Sequence, residues 1–239
     1  MEIARLADAY TARARLLPAL IVALPLGVAT LAWSPNGVLG WGPIWALVVW
    51  SGGTVLLAEV GRDAGKQKEP ALFASWGGKP TTRLLRHQVT TNRPLLERRH
   101  TKLASLSGIA EPTAAREAAD PHAADEVYEA WSGVLRDRTR DRKKFDLIFA
   151  ENCSYGFRRN LWGMKRFGIA LAIAGLVAIA VIPGLVPSAR VMPRLGTTAL
   201  TGAVNLLLVI CWSFIIVPAW VRVPAEAYAE RLLEACERQ

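Results

Sequence analysis

The chain has 239 residues, of which 52% are hydrophobic, and a formal net charge of +9 at pH 7. A basic soluble chain of this size would suggest a nucleic-acid binder, but here the apolar residues are concentrated in four uncharged blocks. The composition therefore indicates an integral membrane protein, and we do not expect a nucleic-acid partner.

The four apolar blocks are long enough to cross a bilayer, which takes about 20 apolar residues in a helix. They predict transmembrane helices at about 16–33, 41–58, 167–186 and 197–220. Buried helices of soluble proteins seldom run that far without a charge. The first block is a longer apolar run than most signal peptides contain and lacks a good cleavage site, so we expect it to remain in the chain.

The distribution of basic residues predicts the orientation of these helices. Residues 59–166 contain 21 Lys and Arg against 14 Asp and Glu, whereas the link between the first two blocks is uncharged. The link between the last two blocks carries only Arg190 and Arg194. Because basic segments stay on the cytoplasmic side, we expect a multi-pass protein of a bacterial inner (plasma) membrane, with both termini and the central region in the cytoplasm.

The predicted fold class is all-α, with four transmembrane helices as two hairpins flanking a cytoplasmic helical region. In chain order the segments are a cytoplasmic N-terminal helix at 1–15, hairpin 1 at 16–58, the cytoplasmic helical region at 59–166, hairpin 2 at 167–221 and a cytoplasmic C-terminal helix at 222–239. This layout resembles that of small bacterial membrane effectors, in which a cytoplasmic part senses a ligand or partner and the membrane part perturbs the bilayer. The resemblance is one of layout, without a shared motif.

Three helix starts can be read in the central region, one at Pro80 and two within residues 109–131, the later of which is at Pro121; proline suits the first helical turn. After the start at Pro121, Val127, Trp131 and Leu135 recur at helical spacing and form one apolar face. We predict that this face docks a partner. The charged run that follows is predicted to extend the same helix, and residues 88–111 fit either a helix after a proline or a loop.

A Gly-Gly-Lys-Pro turn is the strongest candidate for a ligand site. A P-loop would need a glycine where Phe73 stands and Ser or Thr where Pro80 stands, so this motif is excluded. Free amides at a helix start, beside cations, nevertheless favour an anion. The predicted anion- or nucleotide-binding residues are Gly77, Gly78, Lys79, Thr81, Thr82, Arg83 and Arg86. The alternative is a plain helix start with a solvated basic face.

Aromatic and basic residues alternate just before the third block. Rings at head-group depth and cations near phosphates are typical of a membrane interface. The predicted lipid-interface residues are Tyr155, Arg158, Arg159, Trp162, Lys165 and Arg166.

The sequence offers no catalytic constellation. His87, His100 and His122 lack metal-ligand spacing, and no nucleophile has a base at a recognisable distance. We therefore expect no catalytic residue, no metal and no cofactor.

The sequence as a whole predicts a non-enzymatic membrane protein whose cytoplasmic region binds a partner or an anionic ligand. Its most specific version is an oligomeric pore-forming or membrane-disrupting effector. The alternatives are a structural or assembly subunit of a membrane complex and a lipid-acting membrane enzyme. The expected partners are the lipid bilayer, further copies of the chain or a membrane-complex partner, and an anionic or nucleotide ligand.

Overall fold

The computed structural model describes residues 9–33, 42–185 and 195–238, and all regular elements in these ranges are helical. The predicted all-α class is confirmed. The α-helices in these ranges are α1 (Leu17–Trp33), α2 (Gly42–Ser75), α3 (Pro80–Leu85), α4 (Arg93–Ser107), α5 (Ala114–Ala119), α6 (Pro121–Arg138), α7 (Asp146–Gly163), α8 (Lys165–Leu185), α9 (Leu195–Ile210) and α10 (Pro218–Glu234). Short π-helical segments, Thr11–Leu16 and Cys211–Ile215, adjoin α1 and α9.

The chain forms two compact units. Unit 1 comprises Met1–Lys68 with Gly156–Val221, and unit 2 comprises Glu69–Tyr155 with Arg222–Gln239. The C-terminal segment therefore folds with most of the predicted central region. Both links within the predicted hairpins, and residues 1–8 of the predicted N-terminal helix, lie outside the described residues.

In unit 1 the apolar helices α1, α8 and α9 pack against one another. Two glycines of α8 lie where α9 and the π-helical segment after it come close to this helix. A methyl group at Gly168 would overlap the ring of Trp212, and one at Gly175 would lie 2.5 Å from Oδ1 of Asn205. Small residues at such positions let two helices approach closely where no water is present to drive apolar association.

A second close crossing joins α2 to the end of α7. A methyl group at Gly163 would lie 2.5 Å from the backbone nitrogen of Gly65, so the two backbones are in direct contact. One turn earlier in α2, a methyl group at Gly61 would lie 2.5 Å from Cε of Met164. Glycine is therefore required at this crossing for steric reasons.

Polar contacts tie together several segments of unit 1. Arg15 and Arg62 both form ion pairs with Glu59, at 3.1 Å and 2.7 Å. The side-chain amide of Asn160 donates to the backbone carbonyl of Ala14 at 2.7 Å. The start of the first apolar block, the middle of α2 and the end of α7 are thus held together by charged and polar groups.

Much of the apolar surface of unit 1 is exposed. The large hydrophobic residues concerned in α1, α8 and α9 are Leu17, Leu20, Leu24, Leu26, Phe167, Ile173, Val177, Val181, Leu200, Leu206, Leu207 and Ile210, each between 41% and 62% exposed. An apolar surface this extensive is unusual for a soluble monomer and indicates contact with lipid or another protein.

Two helices in the described residues are long and apolar enough to span a membrane, Thr11–Val28 and Thr198–Ile215. A third span results if the bent pair Asp146–Gly163 and Lys165–Val181 counts as one. The predicted span at 41–58 is the beginning of α2, where the side chains before Gly52 lie outside the described residues. The protein thus has two or three helices suited to a membrane among the residues described.

Unit 2 has its own apolar core, to which the C-terminal segment contributes. Tyr128, Trp131 and Leu135 of α6 are fully buried and cluster with Leu232 and Leu233 of α10. The remaining buried members of this core are Leu85, Leu103, Ala124, Phe145, Ile148, Ala235 and Cys236. The C-terminal part of α10 therefore completes the helical core of this unit.

Side chains cap three of the helix starts described in unit 2, whereas α3 has no side-chain cap. Asn92, Thr113 and Asp120 accept hydrogen bonds from backbone N–H groups at the first turns of α4, α5 and α6. Helix α6 begins at Pro121, as predicted. Residues 88–111, for which the sequence fitted either a helix or a loop, contain α4. The cap residue that follows this helix, Gly108, has the left-handed conformation (φ 71°).

The predicted extension of α6 through the charged run is wrong, because the helix ends at Arg138. The hydroxyl of Thr139 donates to the carbonyl of Leu135 at 2.8 Å, and Asp141 accepts from the backbone of Lys143 at 3.0 Å. These local bonds stabilise a turn, which competes with continuation of the helix.

Candidate functional site

A largely buried polar cluster lies in unit 2 where the turn after α3, helix α4, the loop before α5, and helices α5 and α6 meet. Its members are His87, His100, Glu111, Glu117 and Tyr128. Buried polar groups of this kind need hydrogen-bond partners, because an unpaired one costs roughly 1–3 kcal/mol. The hydrogen bonds within the cluster therefore show which of its groups donate and which accept.

Glu117 organises the cluster. Its carboxylate is almost fully buried and accepts hydrogen bonds from the Tyr128 hydroxyl at 2.7 Å, the His87 backbone at 2.9 Å and the Gln88 backbone at 3.3 Å. Burial and the hydrogen bond to Glu117 raise the pKa of Tyr128, which keeps the phenol protonated as the donor. Glu117 thus fixes the turn that carries His87.

His100 is fully buried and its tautomer follows from its partners. Its Nε2 lies 2.7 Å from the carbonyl oxygen of Leu85, which can only accept, so Nε2 carries a proton. Nδ1 lies 3.2 Å from Oε1 of Glu111. Burial lowers the pKa of His100, although the Leu85 carbonyl and Glu111 act in the opposite direction. Nδ1 of this buried ring therefore faces the Glu111 carboxylate.

His87 completes a three-residue group. Its Nε2 lies 2.9 Å from the carbonyl oxygen of Pro112, so this nitrogen also carries a proton. The rings of His87 and His100 are nearly perpendicular, with centroids 4.8 Å apart. One ring nitrogen from each histidine and one oxygen of Glu111 lie within 4.8 Å of one another. These are the ligand types that bind divalent transition metals.

A cavity of about 350 Å³ lies beside this group in unit 2. Glu111 belongs to both, because the same residue faces His100 and lines the cavity. The other lining residues are Ala110, Pro112, Arg116, Ala119, Asp120, Ala123, Ala124 and Val127. An apolar wall with a few charged groups and this volume suits a small molecule, since ligand pockets usually measure about 300–1,000 Å³.

The predicted anion-binding turn contains the cations that the sequence suggested, and carboxylates already pair with them. Lys79 lies 2.5 Å from Glu129, and Arg83 lies 3.1 Å from Glu226. An anion at these side chains would therefore compete with internal ion pairs.

Arg86 has the strongest of these pairings. Its guanidinium donates to both carboxylate oxygens of Asp125, at 2.8 Å and 2.6 Å, and to the carbonyl of Gly77 at 2.6 Å. Gly77 and Gly78 have φ values of 78° and 125°, which only glycine adopts readily. Arg86 and the two glycines therefore shape the turn itself.

The two threonines of the turn differ in exposure. Thr81 is half-buried, whereas Thr82 is 2% exposed and its hydroxyl has no hydrogen-bond partner among the described residues. The helix that these residues begin, α3, is only six residues long.

The predicted docking face of α6 is largely internal. Trp131 and Leu135 are fully buried in the core of unit 2, and only Val127 is partly exposed. The apolar spacing is therefore explained by packing within the chain, while Val127 lines the cavity.

Most of the predicted lipid-interface residues make internal contacts. In unit 1, Arg158 donates to the Trp220 carbonyl at 2.9 Å and lies over its ring, and Lys165 donates to the Ile216 carbonyl at 2.9 Å. Trp162 stacks with a lysine of α2, Arg159 is buried beside the Asn160 side chain, and Arg166 is exposed. In unit 2, Tyr155 donates to Glu69 at 2.9 Å.

The polar cluster around His87 and His100 could not be recognised from the sequence. His87 and His100 lack the spacing of metal ligands, and nothing in their surroundings singles out Glu111 or Glu117. The structure brings these four residues together because α4 folds back, which no motif encodes. His122, the remaining histidine, is exposed and lies 3.5 Å from Glu126.

Comparison of the chain with protein-family models, with curated proteins and with solved structures finds no match.

Proposed function

We propose that this chain is a non-enzymatic integral membrane protein whose unit 2 binds a small ligand at the membrane surface. The proposal that the protein is embedded in a membrane rests on the exposed apolar surface of α1, α8 and α9. In water this surface would promote aggregation, whereas lipid chains cover it without cost.

The proposed topology has four transmembrane helices in two hairpins, at about 16–33, 41–58, 167–186 and 197–220. The apolar helical segments Thr11–Val28 and Thr198–Ile215 support two of these spans. The bent helix pair Asp146–Gly163 and Lys165–Val181 supports a third. The excess of basic residues in 59–166 supports a cytoplasmic location for unit 2 and both termini, in the inner membrane of a bacterium.

The cavity beside Glu111 supports ligand binding by unit 2. Its wall combines apolar side chains with one cation, Arg116, and two carboxylates, Glu111 and Asp120. This arrangement favours a small molecule with both an apolar part and a charged or hydrogen-bonding group. An anion or nucleotide at the turn around Lys79 is a separate proposal, because it requires displacement of Glu129 from that lysine.

The most specific version of the proposal is an oligomeric effector that changes membrane permeability when the ligand binds. Its test is dye leakage from liposomes that contain the purified protein, measured with and without a panel of cytoplasmic nucleotides and metabolites. Leakage that depends on one ligand, and that Arg116→Glu abolishes, would support both the cavity and the effector. The exposed Arg136→Glu of the same unit is the matched control.

Leakage lost in Lys79→Glu and Arg83→Glu, but retained in Arg116→Glu, would instead assign the ligand to the basic turn. Vesicles that stay tight with every ligand would contradict the effector version. The chain would then be better described as an assembly subunit of a membrane complex.

A further inference from the structure

We propose that His87, His100 and Glu111 bind a divalent transition-metal ion, for which Zn²⁺ is the natural probe. The site lies within unit 2 and does not depend on how the chain crosses the membrane. One potential ligand atom from each residue lies within 4.8 Å of the other two. Two imidazoles and one carboxylate are a ligand set that zinc uses in proteins.

The hydrogen bonds around the two rings orient them as metal ligands. Metal-bound histidines usually donate their other ring N–H to a carbonyl or carboxylate, which fixes tautomer and ring orientation. His100 donates in this way to the Leu85 carbonyl at 2.7 Å, and His87 to the Pro112 carbonyl at 2.9 Å. In each ring Nδ1 is therefore the nitrogen that remains available to a metal ion.

The contact between His100 and Glu111 favours a cation at this position. Nδ1 of His100 and Oε1 of Glu111 lie 3.2 Å apart, within hydrogen-bond distance. A metal ion can take the place of the proton between these two atoms and be bound by both. Tetrahedral zinc places its ligand atoms about 3.3 Å apart, which is close to the distance already present here.

His87 needs to move only a short distance to coordinate the same metal ion as His100 and Glu111. Because the three ligand atoms are separated by at most 4.8 Å, closing to tetrahedral spacing requires a shift of roughly 1.5 Å or less. His87 is half-buried and lies on the turn between α3 and α4, outside the fully buried core of unit 2.

Three protein ligands leave one coordination position open. Structural zinc sites fill all four positions with protein, whereas sites that bind water or a small molecule keep one free. Glu111 lines the cavity of about 350 Å³, so a ligand in the cavity lies next to the metal. The metal site thus provides an anchor for a ligand with an oxygen, nitrogen or sulfur donor.

The test is metal binding by the full-length protein, purified in detergent with a histidine-free affinity tag and stripped with chelator. Titration with Zn²⁺ and elemental analysis after dialysis give affinity and stoichiometry. We expect one Zn²⁺ per chain, and a loss of affinity of more than about 100-fold in both His87→Gln and Glu111→Gln. Both substituted residues are partly exposed, so the variants keep the core of unit 2.

His122→Gln is the matched control, because it removes a histidine that is 87% exposed and does not belong to the proposed ligand set. It should bind Zn²⁺ like the parent, and circular dichroism should show equal helicity in all four proteins. Absence of stoichiometric Zn²⁺ in the parent would overturn the proposal. So would parental affinity in both His87→Gln and Glu111→Gln, which would assign the metal to other groups.

Discussion

The carboxylate of Glu117 and the hydroxyl of Tyr128 form a buried hydrogen bond of 2.7 Å. The same carboxylate holds the backbone of His87 at 2.9 Å. Through this one side chain, helix α6 is connected to the turn that presents His87 to His100. The position of the candidate metal ligands therefore depends on a residue that does not itself belong to the ligand set.

Substitution of Glu117 should destabilise the protein and should be coupled to Tyr128. Glu117→Gln places an amide N–H₂ group against donors, and we expect a loss of about 1–3 kcal/mol. Tyr128→Phe should cost about 1 kcal/mol by itself. In a double-mutant cycle measured by unfolding in detergent, the coupling energy should be about 0.5 kcal/mol or more. Glu126→Gln, at an exposed position of α6, is the control. Strictly additive effects would contradict the role assigned to this pair.

The crossing of α8 and α9 should not tolerate a side chain at Gly175. A methyl group there meets Oδ1 of the buried Asn205 at 2.5 Å, so Gly175→Ala should cost about 1–3 kcal/mol. At Gly202 of α9 a methyl group would lie 3.9 Å from Cδ1 of Ile179, which leaves room. Gly202→Ala should therefore be neutral or slightly stabilising. Equal melting temperatures for the two variants would show that the helices are not packed in this way.

The cations of the glycine turn should contribute unequally to stability. Arg86→Gln removes a two-pronged bond to Asp125 and the bond to Gly77, for which we expect a loss of about 1.5–3 kcal/mol. Lys79→Gln removes a more exposed pair with Glu129 and should cost less than about 1 kcal/mol. Thermal unfolding of both variants measures the difference. A smaller effect at Arg86 than at Lys79 would contradict a structural role for Arg86.

Acid should weaken the ion pairs around Glu226. Burial raises the pKa of this carboxyl, but hydrogen bonds from Arg222 and Arg83 together act more strongly and lower it overall. A carboxylate with a lowered pKa stabilises the folded state above its unfolded pKa, and this stabilisation is lost as the pH falls through the lowered folded value. As the pH falls from about 7 to below the ordinary carboxyl pKa of 4.5, Glu226→Gln should thus lose less thermal stability than the parent. An identical pH dependence would refute the contribution of Glu226.

Local features of the fold could be predicted from the sequence. Helix starts at Pro80 and Pro121 depend on proline in the first turn, which acts over a few residues. The apolar character of α1 and α9 is also local, because mean hydropathy over a window is enough to identify it. The end of α6 at Arg138 could not be predicted in this way, since the competing side chain of Thr139 forms its bond only in the folded turn.

The site itself could not be predicted, because its residues meet through tertiary packing. His87 and His100 lie on either side of the start of α4, and Glu111 follows its end. They come together because α4 folds against α6, and that pairing depends on the shapes of two apolar faces. In the same way, Leu232 joins the core around Trp131 from about a hundred residues away. Periodicity identifies such faces but not their partners.

The most direct test of the central proposal is the topology of the chain in the cell membrane. Three variants each carry one added cysteine: Asn36→Cys and Ser188→Cys in the two predicted external links, and His122→Cys in unit 2. The parent protein measures the background labelling of the native cysteines. Intact spheroplasts are treated with a membrane-impermeant maleimide. The proposed topology predicts labelling of Asn36→Cys and Ser188→Cys in intact spheroplasts, and labelling of His122→Cys only after lysis. Labelling of His122→Cys without lysis, or protection of either link, would contradict two hairpins with a cytoplasmic unit 2.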